Sequence, residues 1–159
     1  MTGLPPDTLL ERASAAWEGG HHELALKLFQ QDADAGTVGS MLNLGYFLDR
    51  GIGCEPDQAL AMRWYKRAYR HGDPAGASNV AVLYEAQGKH RLAFAWHARA
   101  ANAGDGDSSL ELAKRYLAGR GVRRSVASAR ARLRQTLSSN LVTPASLEEA
   151  AATLRCLDA

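Results

Sequence analysis

The stretch Leu42–Gly53, LNLGYFLDRGIG, sets an apolar, aromatic-rich run directly against two glycines spaced one residue apart. A strand here would alternate apolar and polar side chains, and this run does not. A helix would lose about 1 kcal/mol by carrying Gly45 in its interior instead of alanine. A structure that keeps this glycine needs it for something. Whether the rest of the chain repeats the need decides the fold.

It does repeat it. Asn43, Leu44, Gly45 and Leu48 align with Asn79, Val80, Ala81 and Tyr84, and Ala61, Trp64, Ala68 and Gly72 align with Ala93, Trp96, Ala100 and Gly104. A third copy carries Leu112, Ala113, Tyr116, Gly119, Gly121, Ala129, Leu133 and Asn140, and a degenerate copy upstream carries Leu24, Ala25, Leu28, Phe29 and Gly36. The terminal marks Gly36, Gly72, Gly104 and Asn140 are spaced 36, 32 and 36 residues apart. A period of this size is the signature of a helical repeat. Each copy reads as two helices of about a dozen residues. The first ends near Gly51, Gly88 or Gly119, and the second ends at the terminal mark, where a left-handed cap favours glycine or asparagine. Asp73–Pro74 and Thr143–Pro144 read as helix starts, a cap followed by proline in the first turn. Gly45, Ala81 and Ala113 then share one position on successive first helices. Ser40, Gly76 and Ser108, five residues earlier, are small as well. Small residues let the second helix approach closely, with Trp64 and Trp96 supplying core bulk from the other side.

The stretch resembles the Sel-like repeat family (Sel-one type), a relative of the tetratricopeptide repeat. Asn43, Leu44, Gly45, Gly51, Gly53, Asp57, Ala61, Trp64, Tyr65, Ala68 and Gly72 fit its pattern. Leu48 departs where tyrosine is usual, and Arg132 where tryptophan is usual. The resemblance covers roughly Glu23 to Asn140. It implies an all-α solenoid, a right-handed superhelix of antiparallel helix pairs, acting as a scaffold in protein interaction. It implies no chemistry.

The expected organisation is an N-terminal tail over 1–6, about four helix-pair repeats at 7–36, 37–72, 73–104 and 105–140, and a C-terminal capping helix within 141–159 that covers the apolar edge. Composition agrees: 46% hydrophobic and 23% charged residues across 159 positions suit one compact domain or a short array. No secretory signal is visible at the start and no run reaches membrane-spanning length, so a cytoplasmic protein without membrane contact is expected. Cys54 and Cys156 form no CxxC pair and suit a reducing compartment, with a single long-range disulfide left open.

Chemistry-bearing residues read as structural. His22 and His90 take equivalent turn positions, which repeat geometry keeps apart, and His97 stands where other copies carry Tyr65 and Phe29, as a packed substitute. Cys54 lies in a turn with no histidine placed by sequence to activate it. Glu148 and Glu149 read as favourable partners of the last helix's dipole. No enzymatic activity, cofactor or metal is expected.

Charge is uneven. Lys114 to Arg134 holds eight basic residues and no acidic one, whereas Met1 to Gly36 holds six acidic against two basic. Arg115, Arg120, Arg123, Arg124, Arg130 and Arg134 are candidates for a basic patch, with Arg132 beside them. That segment is either a solvated face or a site for an acidic partner or nucleic acid. Helical periodicity places a second stripe opposite the core positions Ser40, Leu44 and Leu48: Asn43, Tyr46 and Arg50, then Asn79, Val82 and Ala86, then Glu111, Lys114 and Ala118. The leading expectation is a monomeric adaptor that binds a protein or peptide along this stripe on the concave surface. The alternative is a nucleic-acid-binding or regulatory module built on 114–134.

Overall fold

The computed structural model describes residues 8–159, so the expected tail over 1–6 lies outside the described residues. Among them the chain forms helices and no strand, an all-α repeat fold of the solenoid class. It divides into two compact units, Met1–His71 and Gly72–Ala159.

In the first unit, α1 (Leu9–Glu18), α2 (His22–Asp34), α3 (Val38–Arg50) and α4 (Gln58–Arg70) pack each against the next. Local sequence sets the starts. Thr8 and Glu11 form a reciprocal capping box on α1, and Asp57 accepts from the Leu60 amide at the start of α4. The core is made of Phe29, Met41, Leu44, Phe47 and Tyr65 among buried alanines at 13, 25, 33, 61 and 68. Buried Ser40 donates to Asp32 at 2.5 Å, and Thr37 donates to the same carboxylate at 2.9 Å, which ties the start of α3 back onto α2.

The second unit holds α5 (Pro74–Ala86), α6 (His90–Asn102), α7 (Gly106–Ala118), α8 (Val126–Ser138) and α9 (Pro144–Asp158). Asp73, Asp105, Ser125 and Thr143 cap their helices through the side chain, with Pro74 and Pro144 in the first turns. A cluster of Leu110, Ala113, Ala129, Leu133 and Ala150 is completed by Leu154 and Leu157, so α9 lies over Leu133. Gly106 gives its amide to the Leu141 carbonyl at 2.8 Å, and Thr143 donates to Asp107, which fixes the approach to α9.

Gly45 is required by close approach. A Cβ there would lie 2.5 Å from Tyr65 Cε1, because the ring of α4 rests directly on the backbone of α3. The Gly-x-Gly turns do more than reverse the chain. A Cβ on Gly53 would stand 2.8 Å from the His22 carbonyl carbon, and one on Gly121 would overlap the His90 carbonyl oxygen. Each second glycine therefore seats its turn on the first residue of the second helix in the preceding pair. Both also have positive φ, +71° and +73°.

Several sequence expectations change. Trp64 is buried as expected, together with Phe29, Phe47 and Tyr65, but Trp96 is only half-buried with the Arg99 guanidinium 4.5 Å from its ring centre, so the core of the second unit is built on Leu110, Leu112 and Leu133 instead. Asn140 is no left-handed cap: among the described residues only glycines have positive φ, and α8 leaves through an extended Ser139. The C-terminal helix does not cover all of the apolar edge, since Leu137 of α8 stays 40% exposed. Helix α9 starts at Pro144, which puts Glu148 and Glu149 beyond its first turn, and Glu149 pairs with Lys114 at 2.9 Å. Cys54 and Cys156 are both free thiols.

Candidate partner-binding surface

In the first unit the expected stripe runs along α3, with Asn43 half-buried and Tyr46 and Arg50 exposed. Tyr46 is 40% exposed although its neighbours Phe47 and Gly45 are buried. Its ring leans on Trp17 of α1 at 5.9 Å, and Trp17 in turn packs edge-on against Phe47 at 5.1 Å and Phe29 at 6.4 Å. Arg50 places its guanidinium 5.9 Å from the Tyr46 ring centre while contacting Asp49 at 3.7 Å. The phenol thus stands on a rigid aromatic base and keeps a face in water. Such a group can supply contact area and a hydrogen bond at little entropic cost. Sequence reasoning missed Trp17, which sits upstream of the well-formed repeats. Its apolar spacing from Ala13 and Ala16 was the available signal.

In the second unit the stripe is less open. Val82 is 55% exposed and Asn79 half-buried. Glu111 and Lys114 are also half-buried, and Lys114 bridges Glu111 at 3.1 Å and Glu149 of α9 at 2.9 Å. Burial opposes the Lys114 charge, but the hydrogen bonds that it donates to Glu149 and Glu111 raise its pKa overall. Lys114 is therefore committed within the protein.

The basic segment is not one surface. Arg115 is buried and pairs with Glu85 of α5 at 2.8 Å. Glu85 also meets Arg120 at 3.3 Å and His90 Nδ1 at 3.2 Å. Burial would raise the Glu85 carboxyl, but hydrogen bonds from Arg115 and His90, with their charges, hold it at about 2. Arg130 bonds the Leu157 carbonyl and pairs with Asp158, and Arg132 contacts Gln135 at 2.8 Å. Arg123, Arg124 and Arg134 are exposed. The structure thus removes Arg115 from any solvent-facing patch. Glu85, the acid that does this, lies outside the basic segment and was not visible to a count of charge along the chain.

Other candidates resolve as structural. His97 is buried with Nδ1 3.3 Å from the Ser108 hydroxyl, and Ser108 donates to Asp105 at 2.7 Å. With its hydroxyl committed to a carboxylate and buried, Ser108 is not placed to attack anything. Burial first, and then the Arg115 charge, lower the His97 pKa, so the ring is held neutral as a core group. Burial and the carboxylates of Glu55 and Asp57 raise the Cys54 thiol, the opposite of activation. Among the described residues no group of three or more His, Cys, Asp or Glu side chains could hold a metal ion. No helix among them is long and apolar enough to cross a membrane.

Three successive segments, residues 38–73, 77–105 and 107–131, match the model of the Sel1 repeat. They occupy more than half of the chain, which belongs to the Sel1 repeat family. A Sel1 repeat protein from Oxalobacter formigenes superposes with a TM-score of 0.74 at 18% identity over 91% of this chain, which spans 59% of that protein. A protective antigen of uropathogenic Escherichia coli with an SLR fold, c5321, is 21% identical over 80% of the chain and is covered over 37% of its own length, with a TM-score of 0.47. The immunity protein Pa5087 of Pseudomonas aeruginosa is 15% identical, covers 99% of the chain and is covered over 83%, with a TM-score of 0.39. The last two superpose too loosely to add to the assignment. No curated protein matches the sequence. Sel1 repeats generally mediate protein–protein interaction, and the family is typically a non-catalytic scaffold.

Proposed function

We propose that the chain is a non-catalytic adaptor that holds a partner protein or peptide on the solvent-facing stripe of a first helix. Tyr46 is the main anchor in the first unit and Val82 a second anchor in the other. The observation that carries this reading is the Tyr46 ring, open to solvent on one side and braced by Trp17 and Arg50 on the other. An exposed aromatic group on a rigid base is what interface hot spots are made of. Asn43 and Arg50 flank it as polar rim, and Asn79 does the same beside Val82. Glu111 and Lys114 take a lesser part, because they already answer each other and Glu149. The free thiols Cys54 and Cys156 support a reducing compartment such as the cytoplasm, and α9 over Leu133 supports a monomer.

Capture from a lysate of the native host, with bound proteins identified by mass spectrometry, tests the reading. Tyr46→Ala should remove a specific partner while the thermal melt stays within about 2 °C of the parent, the size expected for a surface change. Capture of the same proteins in the same amount by Tyr46→Ala and Val82→Ser would overturn it.

A further inference from the structure

One corner of the second unit carries a charge that its architecture does not need. Gly121 lets the α7–α8 turn touch the His90 carbonyl and the Arg91 amide, so that turn lies on the start of α6. The contact gathers Lys89, Arg91, Arg120, Arg123 and Arg124 around one spot, all exposed, although two of them come from outside the basic segment of the sequence. Leu92, 45% exposed, follows Arg91 in the first turn of α6 beside this contact. Glu85 is the acid facing this corner, and it is occupied by Arg115, Arg120 and His90.

The first unit provides a built-in comparison. Gly53 seats the α3–α4 turn on His22 and Glu23 in the same way, and that corner carries Glu23, Glu55 and Asp57. The turn-on-helix contact is made by backbone in both cases, so it tolerates either sign of charge. Like charges gathered at an exposed corner repel one another and weaken the fold slightly. Glu85 answers Arg120 and the Tyr84 ring answers Lys89, which leaves Arg91, Arg123 and Arg124 exposed with no acidic partner among the described residues.

We infer that this corner of the second unit is a docking site for an acidic protein segment that carries an apolar side chain to cover Leu92. The inference rests on the reading of the chain as a binding module, and it names a second surface and its partner chemistry. An acidic peptide fits better than a nucleic acid. Single strands are held largely by stacking on aromatic rings, and the Tyr84 ring beside the corner already has the Lys89 ammonium 6.0 Å from its centre. A peptide uses both features present here, dispersed cations and an exposed leucine.

Fluorescence anisotropy of a short labelled peptide of glutamates with one central leucine tests the site on the full chain. A glutamate peptide without the leucine and a single-stranded oligonucleotide of equal charge serve as competing probes. Arg123→Glu with Arg124→Glu should weaken the leucine peptide about tenfold or more at about 50 mM salt, since attraction becomes repulsion at short range. Arg123→Lys with Arg124→Lys should keep most of the affinity. Leu92→Ser should weaken the leucine peptide about threefold or more and leave the all-glutamate peptide alone. Arg63→Glu with Arg70→Glu, an equal charge change on exposed positions of α4, should alter binding less than about twofold. The inference is overturned if neither peptide binds, if the oligonucleotide binds more tightly than the leucine peptide, or if the α4 pair weakens binding as much as the corner pair. The peptide titration reads the corner variants and partner capture reads Tyr46→Ala, so the two readings fail separately.

Discussion

Gly45→Ala sets two ordinary expectations against each other. In an exposed helix the change stabilises by about 1 kcal/mol, because alanine is the better helix former. Here the new methyl would stand 2.5, 2.8 and 3.0 Å from three atoms of the Tyr65 ring, which is 4% exposed. Carbon contacts are comfortable at about 3.5–4.0 Å, so α4 or the ring must retreat by about 1 Å. Overpacking on this scale costs about 1–3 kcal/mol, and a buried aromatic ring has little freedom to yield. The net expectation is a loss of about 1 kcal/mol, or about 2–4 °C in Tm for a chain of this size. Gly39→Ala on the same helix is the control, since its Cβ would meet only Leu10 at an ordinary 3.5 Å. That change should be neutral or stabilising. Urea titrations followed by far-ultraviolet circular dichroism would compare the two, and a double-mutant cycle with Tyr65→Leu isolates the contact. The penalty at position 45 should vanish in the Tyr65→Leu background. A Gly45→Ala protein as stable as Gly39→Ala, or an unchanged penalty without the ring, would refute the close-approach explanation.

Three further outcomes follow from the same structure. Gly53→Ala and Gly121→Ala should each cost about 2 kcal/mol or more, from left-handed strain added to overlap with backbone that cannot rotate away, whereas Gly88→Asn should cost less, about 1 kcal/mol, since its Cβ meets nothing and asparagine tolerates the left-handed φ of +69° better than other side chains; thermal melts of the three would show it. Glu85 has a folded-state pKa of about 2 against an ordinary 4.5, so its contribution is fully present above pH 4.5 and is lost as pH falls toward 2. Urea midpoints across that window should fall less steeply in Glu85→Ala, which should itself cost about 3 kcal/mol at neutral pH by leaving Arg115 buried and unpaired. Removal of residues 143–159 should expose Leu133 and Ala129 and produce aggregation by light scattering, and a well-behaved monomer would show that α9 is dispensable to the core.

The repeat was legible because its causes are local or periodic. Cap residues such as Asp73 and Thr143 act within one turn, and the small residue at position 45 recurs wherever a second helix must come near. What escaped the sequence depends on which particular side chains meet. Arg115 looked like one member of a basic run, yet Glu85, 30 positions away, makes it an internal ion pair. Trp96 matches Trp64 in alignment, but in the second unit its ring stays half in water beneath Arg99. Asn140 shares the spacing of the terminal glycines, and the extended exit through Ser139 with its hydrogen bonds to Gly104 and Leu141 sets a different backbone there. The stripe through Tyr46 was visible in helical period alone, whereas Trp17, which braces it, lies in a copy too degenerate to align with assurance of register. The basic corner needed the Gly121 contact to bring Lys89 and Arg91 beside Arg123.

On the proposed reading, partners dock on the solvent-facing stripe of the first helices and not on the second ones. Site-specific photocrosslinking in the native host tests it most directly, with a photoreactive phenylalanine analogue at position 46 and, as comparison, at exposed Arg63 on α4. A discrete crosslinked species should form from position 46 and be absent from position 63. Crosslinks formed at position 63 with none at position 46 would contradict that reading.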